Sequence, residues 1–367
     1  MISVEPGISE TTFDVIVIGA GINGAGIARD AAMRGLKVLL LDKGDIGGGT
    51  SSWSTRLIHG GLRYLEHGEF RLVRESLRER RCLMNIAPHL VHAIPMVVPI
   101  YKGARRGLWT MRAGMLAYYV LSFDKTVPRH KMLSKAEALH KLPGLRPEGL
   151  VGGALYYDAQ VEFAERLVLE NALSAIANSA KVLTYARVEK LVIENGIARG
   201  VEYTEELTGV RHSARGEVIV NAAGPWIDQL LDKAGAASPK LIGGTKGSHI
   251  IVGPFAGAPA SAIYVEAEAD QRPFFIIPWN DKYLIGTTDI RYDGDLDHVR
   301  IEAEEIDYLL RETNRIIPAA NLSREKILYA YAGIRPLPFT GEQDEKDITR
   351  RHFIRRHPQV ANIFSIV

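Results

Sequence analysis

An α/β fold is predicted from three observations. The apolar run Asp14-Val-Ile-Val-Ile18 ends in a glycine-rich turn and leads into a helix-forming stretch. A second apolar run, Lys37-Val-Leu-Leu-Leu-Asp42, follows just after Gly35, and a third, Glu217-Val-Ile-Val220, lies far downstream and also ends in a glycine turn. Short continuous apolar runs bounded by glycine read as parallel strands buried on both faces.

The elements follow in order. Residues 14–18 are the first strand. Residues 22–34 carry Ala and Ile at helical spacing, and Gly35 stands where a helix C-terminus wants a left-handed residue. Residues 37–42 form the second strand, completing a βαβ unit. A long Gly/Ser-rich loop covers 44–61, a length that points to function. Helices are expected over 69–85, 162–177 and 301–315. Strands are expected at 217–220, 248–252, 274–279, 283–286, 327–332 and 363–367.

The turn of the βαβ unit is Gly19-Ala-Gly21-Ile-Asn23-Gly24, a G-x-G-x-x-G pattern, and Asp42 ends the next strand. Gly19 makes the tight turn, Gly21 admits a pyrophosphate to the backbone, and Gly24 lets helix and strand pack closely. The helix N-terminus offers N–H groups and a positive dipole to the phosphates. Asp42 accepts from ribose hydroxyls. The unit is therefore Rossmann-like and binds a dinucleotide. FAD and NAD both remain open at this unit alone. The loop Gly48–Ser54 and the distant element Val218-Ile-Val-Asn-Ala-Ala223-Gly224-Pro-Trp226 favour an extended FAD.

Bulk properties narrow the class. The chain has 367 residues, enough for two domains, and a formal charge of +2, which argues against nucleic acid as a main partner. The single cysteine, Cys82, excludes an intrachain disulfide and fits a reducing compartment; among apolar neighbours it reads as a buried, inert thiol. The N-terminus is not a signal peptide, and the apolar stretch 109–123 is too short to span a bilayer, so a cytoplasmic location is expected. No G-x-S-x-G, H-E-x-x-H or Walker pattern appears, so hydrolase and metal-site readings lack support.

The run Thr50-Ser51-Ser52-Trp-Ser-Thr-Arg-Leu-Ile-His59-Gly60-Gly61-Leu62-Arg63-Tyr64-Leu-Glu66 closely resembles the FAD-dependent glycerol-3-phosphate dehydrogenases, of the D-amino-acid-oxidase-like superfamily. Further matches are Asn221-Ala-Ala-Gly-Pro-Trp226, Lys246-Gly-Ser-His249, Ile277-Pro-Trp279, Ile285-Gly-Thr-Thr288-Asp289 and Ala332-Gly-Ile-Arg335-Pro336. The resemblance implies FAD, oxidation of the C2 hydroxyl of sn-glycerol 3-phosphate to dihydroxyacetone phosphate, and electrons passed on, usually to membrane quinone. It implies phosphate contact by Arg63 and Arg335, with Tyr64, Lys246 and Thr288 also at the substrate. His249 is the better candidate for the base, with Arg335 beside it in the catalytic set, and His59 packs near the flavin. Lys43, Val188, Ala223, Gly224 and Trp226 join Gly19, Gly21, Asn23, Gly24, Asp42, Thr50–Ser52 and His59–Leu62 as cofactor contacts.

A discontinuous FAD-binding domain is expected over 12–92, 155–236 and 326–367, with a β-rich α+β substrate domain over 93–154 and 237–325. The family's pattern continues beyond the strand at Val367 into a Gly-Gly-Lys-Leu-Thr segment and a helical domain, so this chain reads as part of that plan. The arginines of 71–81, alternating with Glu69, Glu75 and Glu79, read as a solvated ion-paired helix face. Arg350-Arg351-His352 and Arg355-Arg356-His357 read as surface. These clusters, with Lys102, Arg105, Arg106 and Trp109, are also candidates for peripheral contact with an anionic membrane. Rival readings are an amine or amino-acid oxidase of the same superfamily, a non-catalytic nucleotide-binding fragment and, weakest, a flavin-dependent tRNA-modifying protein.

Overall fold

The computed structural model describes residues 8, 10–123, 126–341 and 348–367. Two large sheets organise these residues. In the first, strands Lys181–Leu183, Val38–Leu41, Thr12–Ile18, Arg211–Asn221 and Ile363–Ile366 lie side by side in that order, all parallel. The short strand Ile354–Arg356 closes one edge antiparallel. The hairpin Ala186–Glu194/Ile197–Glu205 extends from the first half of Arg211–Asn221.

The parallel strands are apolar throughout because both faces are covered. On one face Val17, Val38 and Leu40 meet Ala28, Ala31 and Ala32 of helix Ile22–Met33 and Ala175 of helix Ala164–Ala177. On the other, Ile16, Leu39 and Leu41 pack with Val188, Leu191, Tyr203 and Leu231. Gly35, at φ +84°, ends the first helix as expected, its N–H donating to Ala32 O.

The second sheet is ten-stranded and mostly antiparallel. Strand Ile242–Val252 pairs along its whole length with Ile327–Pro338 and, over its second half, with Lys282–Gly286. Its side chains alternate. Lys246 and Ser248 contact Glu305 of helix Ala303–Ile316, and Ile250 packs with Leu309 and Leu310 of that helix; His249 and Ile251 face the other way, against Tyr331.

Some expectations shift. Strands Leu150–Val161 and Ile327–Pro338 pair in the second sheet, although residues 155–161 and 327–338 were assigned by pattern to the nucleotide-binding part. Apolar alternation marks a strand but does not say which sheet it joins. Cys82 is exposed on helix Phe70–Ile86 and not buried. Arg80 on the same helix is 2% exposed, and points into the core instead of joining the solvated arginine face.

Candidate active site

The nucleotide-binding end is built from backbone. Gly19 adopts φ +105°, and a Cβ on Gly24 would stand 1.8 Å from Gly19 O, so any side chain there would force strand and helix apart. Helix Ile22–Met33 has no side-chain cap at Gly21. Its first N–H, on Ile22, donates to Ser51 Oγ at 3.0 Å, and a Cβ on Gly21 would meet only that same Ser51 oxygen. Asp42 accepts from Ala20 N at 2.6 Å and Gly44 N at 2.8 Å. Burial raises its pKa, partly offset by those two N–H groups. A helix start whose N-cap residue is a glycine without a side chain, open space at that glycine and a buried carboxylate at the next strand end fit a dinucleotide.

The remaining cofactor candidates surround this end. Lys43 pairs with Asp297 and stands 4.1 Å from the Trp226 ring centroid. The Trp226 Nε1 is buried without an internal partner. Val188 has its side chain in the core, which leaves only its backbone to reach a nucleotide. Ala223 and Gly224 lie in the turn after strand Arg211–Asn221, and Asn23 sits in the first turn of the helix. Two hydroxyls serve the loop itself: Thr50 Oγ1 donates to Ile334 O at 2.6 Å, and Ser52 Oγ to Gly47 O at 2.6 Å.

The Thr50–Ile334 bond ties the nucleotide loop to the second sheet, beside a cavity of about 300 Å³. Thr50, Thr55, His59, Gly61, Leu62, Tyr64, His249, Thr288 and Arg335 all line it, whereas the residues of the βαβ turn and Lys246 do not. The side chain of Arg63 lies outside the described residues.

His249 is 2% exposed, stacks on Tyr331 at 4.8 Å and shares a 2.9 Å hydrogen bond through Nε2 with Thr55 Oγ1. Across the strand pair, a Cβ on Gly286 would stand 2.2 Å from the imidazole, so only glycine leaves space for it. Burial, with help from Arg335 and Arg56, lowers the His249 pKa to about 3, so the ring is neutral at pH 7. His59 lines the cavity and is exposed there. The protein packed around it, with Arg80, holds its pKa below the usual range against the pull of Asp158.

Lys246 does not reach the cavity. It is 4% exposed and pairs with Glu305 at 2.9 Å on the opposite face of the strand, also donating to Arg300 O. The expected substrate contact is replaced by a brace. Glu305 accepts from Lys246, Ser248 Oγ, Thr288 Oγ1 and Glu302 N. Burial alone would raise its pKa, but these four donors outweigh it and lower the value. The Thr288 hydroxyl, which also accepts from Ser248 N at 2.9 Å, is committed to this brace, although the residue borders the cavity.

Arg335 does reach the cavity. Its Nη1 donates to Asp289 Oδ1 at 2.8 Å, and its Nη2 to Thr287 Oγ1 at 3.0 Å and Thr288 O at 3.3 Å. Gly247 lies beneath it: a Cβ there would stand 2.6 Å from Arg335 Nη2 and from Thr287 Oγ1.

Sequence reasoning missed several wall residues. Arg350, assigned to a surface cluster, lines the cavity and stands 3.7 Å from Asp289 Oδ2. Arg272 lines it as well. Asp158, 1% exposed, accepts from Gly60 N at 3.0 Å, Tyr118 Oη at 2.8 Å and Arg80. The signal for Asp158 was present: a lone carboxylate inside the apolar strand Leu150–Val161 requires buried donors.

A dinucleotide site joined to a cavity that carries arginines and a buried neutral histidine defines a flavoprotein oxidoreductase. The family described as FAD dependent oxidoreductase matches residues 14–365, and the chain belongs to it. The chain is 50% identical over 374 aligned residues to a glycerol-3-phosphate dehydrogenase of Synechocystis sp., covering 99% of this chain and 68% of that protein. It is 43% identical to a D-erythritol 1-phosphate dehydrogenase of Brucella abortus, covering 92% of this chain and 66% of that protein. The solved glycerol-3-phosphate dehydrogenase of Bacillus halodurans, complexed with FAD, superposes with a TM-score of 0.77 at 32% identity, over 98% of this chain and 61% of that one. The chain thus spans 61% to 68% of the length of these three relatives.

Proposed function

We propose that the chain forms the FAD-binding and substrate-binding part of an enzyme that oxidises the C2 hydroxyl of sn-glycerol 3-phosphate to give dihydroxyacetone phosphate. The observation that carries this reading is the charge of the cavity wall. Arg272 pairs with Asp270 at 3.6 Å and Asp158 with Arg80, which leaves Arg335 and Arg350 facing the single carboxylate of Asp289. The wall therefore keeps a net positive charge suited to a phosphate dianion, and guanidinium forks match phosphate geometry.

Gly19, Gly21 and Gly24, the N-terminus of helix Ile22–Met33 and Asp42 would hold the FAD, with Ser51 and Trp226 beside them. When bound, FAD supplies a hydride acceptor at N5. Arg335 and Arg350 hold the phosphate and so fix where C2 lies. Thr55 borders the cavity and shares a 2.9 Å hydrogen bond with His249 Nε2. The hydroxyl proton of the substrate passes to this Thr55–His249 pair, and the low imidazole pKa must rise for that step, as it does when a phosphate dianion offsets the Arg335 charge. Tyr64, on the cavity wall, adds a hydroxyl for orientation.

The electrons pass to a quinone. A surface feature supports a bilayer nearby. Helix Leu108–Leu121 and the residues after it show Trp109, Leu116, Val120 and Phe123 to solvent, beside exposed Arg105 and Arg112. Arg106, read from sequence as part of this basic face, pairs instead with Glu66 and Glu266. Among the described residues no helix is long and apolar enough to cross a membrane.

The test is anaerobic reduction of the flavin in the chain extended to the length of its relatives. Bleaching by sn-glycerol 3-phosphate is expected. Bleaching by D-erythritol 1-phosphate alone would move the substrate to the longer polyol, as the relative of that activity suggests. Bleaching by glycine or a D-amino acid alone would favour the amine-oxidase reading, and a flavin that no substrate bleaches would favour a non-catalytic protein.

A further inference from the structure

Asp289 is an anion on the wall of a cavity assigned above to a dianion, and that conflict carries information. Its Oδ1 takes Arg335 Nη1 at 2.8 Å while its Oδ2 faces Arg350 Nη2 at 3.7 Å. The three side chains are all largely buried, with exposures of 16% for Asp289, 29% for Arg335 and 18% for Arg350. Arg335 also donates to Thr287 and Thr288, so three hydrogen bonds run from one guanidinium to one three-residue turn. Among the described residues, two of the five N–H directions of Arg335 remain for a ligand.

The turn cannot easily yield. Thr288 Oγ1 donates to Glu305 Oε1 at 2.7 Å behind it, and Gly247 leaves no room below the guanidinium. Asp289 therefore stays beside the arginines when a ligand arrives, and repels it. In a partly buried site, removal of one negative charge at second-neighbour distance is worth on the order of a tenfold change in anion affinity.

We propose that Asp289 is a positioning residue that aims Arg335 and tempers the charge of the anion site. It cancels part of the Arg335 and Arg350 charge, which loosens the hold on a phosphate monoester dianion more than on a singly charged carboxylate and so limits how tightly the dianion is retained. It also fixes the plane of the Arg335 guanidinium. This inference rests on the phosphate reading of the cavity, and it assigns Asp289 a role whose sign is unusual: the residue weakens anion binding and strengthens turnover.

The experiment uses the full-length holoenzyme and its Asp289→Asn, Asp289→Ser and Asp289→Glu variants. It measures kcat and KM for sn-glycerol 3-phosphate, with inorganic phosphate and acetate as competitive inhibitors. For Asn and Ser, the phosphate inhibition constant should fall about tenfold and the acetate constant by less, about threefold, while kcat falls about tenfold. Asp289→Glu should return the phosphate inhibition constant to within about threefold of the parent. A residue that only maintained the fold would weaken every ligand when replaced. The Ser variant keeps the test open if the Asn variant does not fold. Inhibition constants that stay level or rise in the uncharged variants, with a parent enzyme that phosphate does inhibit, overturn the proposal and leave the phosphate site standing. A parent enzyme that phosphate does not inhibit and that turns over no phosphomonoester overturns both.

Discussion

Replacing Asp158 by Asn isolates a buried charge pair from its hydrogen-bonding geometry. Asp158 and Arg80 have side-chain exposures of 2% and 3%, and the carboxylate also accepts from Gly60 N and Tyr118 Oη. The amide keeps an oxygen for Gly60 N–H but leaves the Arg80 cation desolvated, with only Tyr157 O at 2.9 Å and the Tyr118 oxygen near it. Removing one partner of such a pair costs about 3–5 kcal/mol. A chain of 367 residues has an unfolding entropy of about 0.8 kcal/mol per kelvin, so the melting temperature should drop by about 4–7 °C if the chain unfolds as one unit. Circular-dichroism melts at a fixed scan rate measure this. The double change Asp158→Asn with Arg80→Met removes both charges and should recover most of the loss. A single variant within about 1 °C of the parent, or a double variant no better than the single, would refute the argument. Because Gly60 sits between His59 and Gly61 on the cavity wall, the single variant should also lose activity.

Arg335→Ala in the full-length enzyme should raise KM for the phosphate substrate by about 30- to 1000-fold, the equivalent of about 2–4 kcal/mol; unchanged kinetics would remove Arg335 from the site. Gly247→Ala places a Cβ 2.6 Å from Arg335 Nη2, and should cut kcat/KM by about 100-fold while flavin content, read from the visible spectrum, stays at the parent level. His249 has a folded pKa of about 3 against about 6.5 when unfolded. The unfolded chain thus binds the extra proton, and the stability contribution is full above pH 6.5 and declines as pH falls towards 3. Urea midpoints at pH 7 and pH 4.5 should therefore differ less for His249→Gln than for the parent, and equal differences would show that the ring does not titrate this way. Trp109→Ser with Phe123→Ser should weaken cosedimentation with anionic vesicles at least about tenfold; undiminished binding would remove this helix from the membrane face.

The parts of the molecule legible in the sequence are those fixed by local physics. The βαβ unit was readable because parallel strands covered on both faces show as unbroken apolar runs, and because Gly24, 1.8 Å from a carbonyl if given a Cβ, has no substitute. The strand carrying His249 was also readable, but its facing was not. Lys246 and His249 lie an odd number of residues apart, so one faces the cavity and the other the helix behind. Which does which depends on Glu305, on helix Ala303–Ile316 over fifty residues later, and a carboxylate in an amphipathic helix looks like surface until a lysine is found against it.

The cations of the cavity show the same limit more sharply. Arg272, Arg335 and Arg350 come from the residue before one strand, the second half of another and the segment before a third; the first two strands belong to the second sheet and the third to the first, so only the tertiary fold brings them together. Arg335 could be found because a distinctive motif surrounds it. Arg350 stands in Arg-Arg-His, a pattern that solvation explains equally well, and only tertiary contact separates it from Arg351, which stays exposed. Asp289 is the point where this matters for function. Its carboxylate holds Arg335 and faces Arg350, so the geometry of the anion site depends on a residue of the charge that the site is built to attract. A reading that collects only the cations would give the site its affinity. The carboxylate between them aims Arg335 and tempers that affinity.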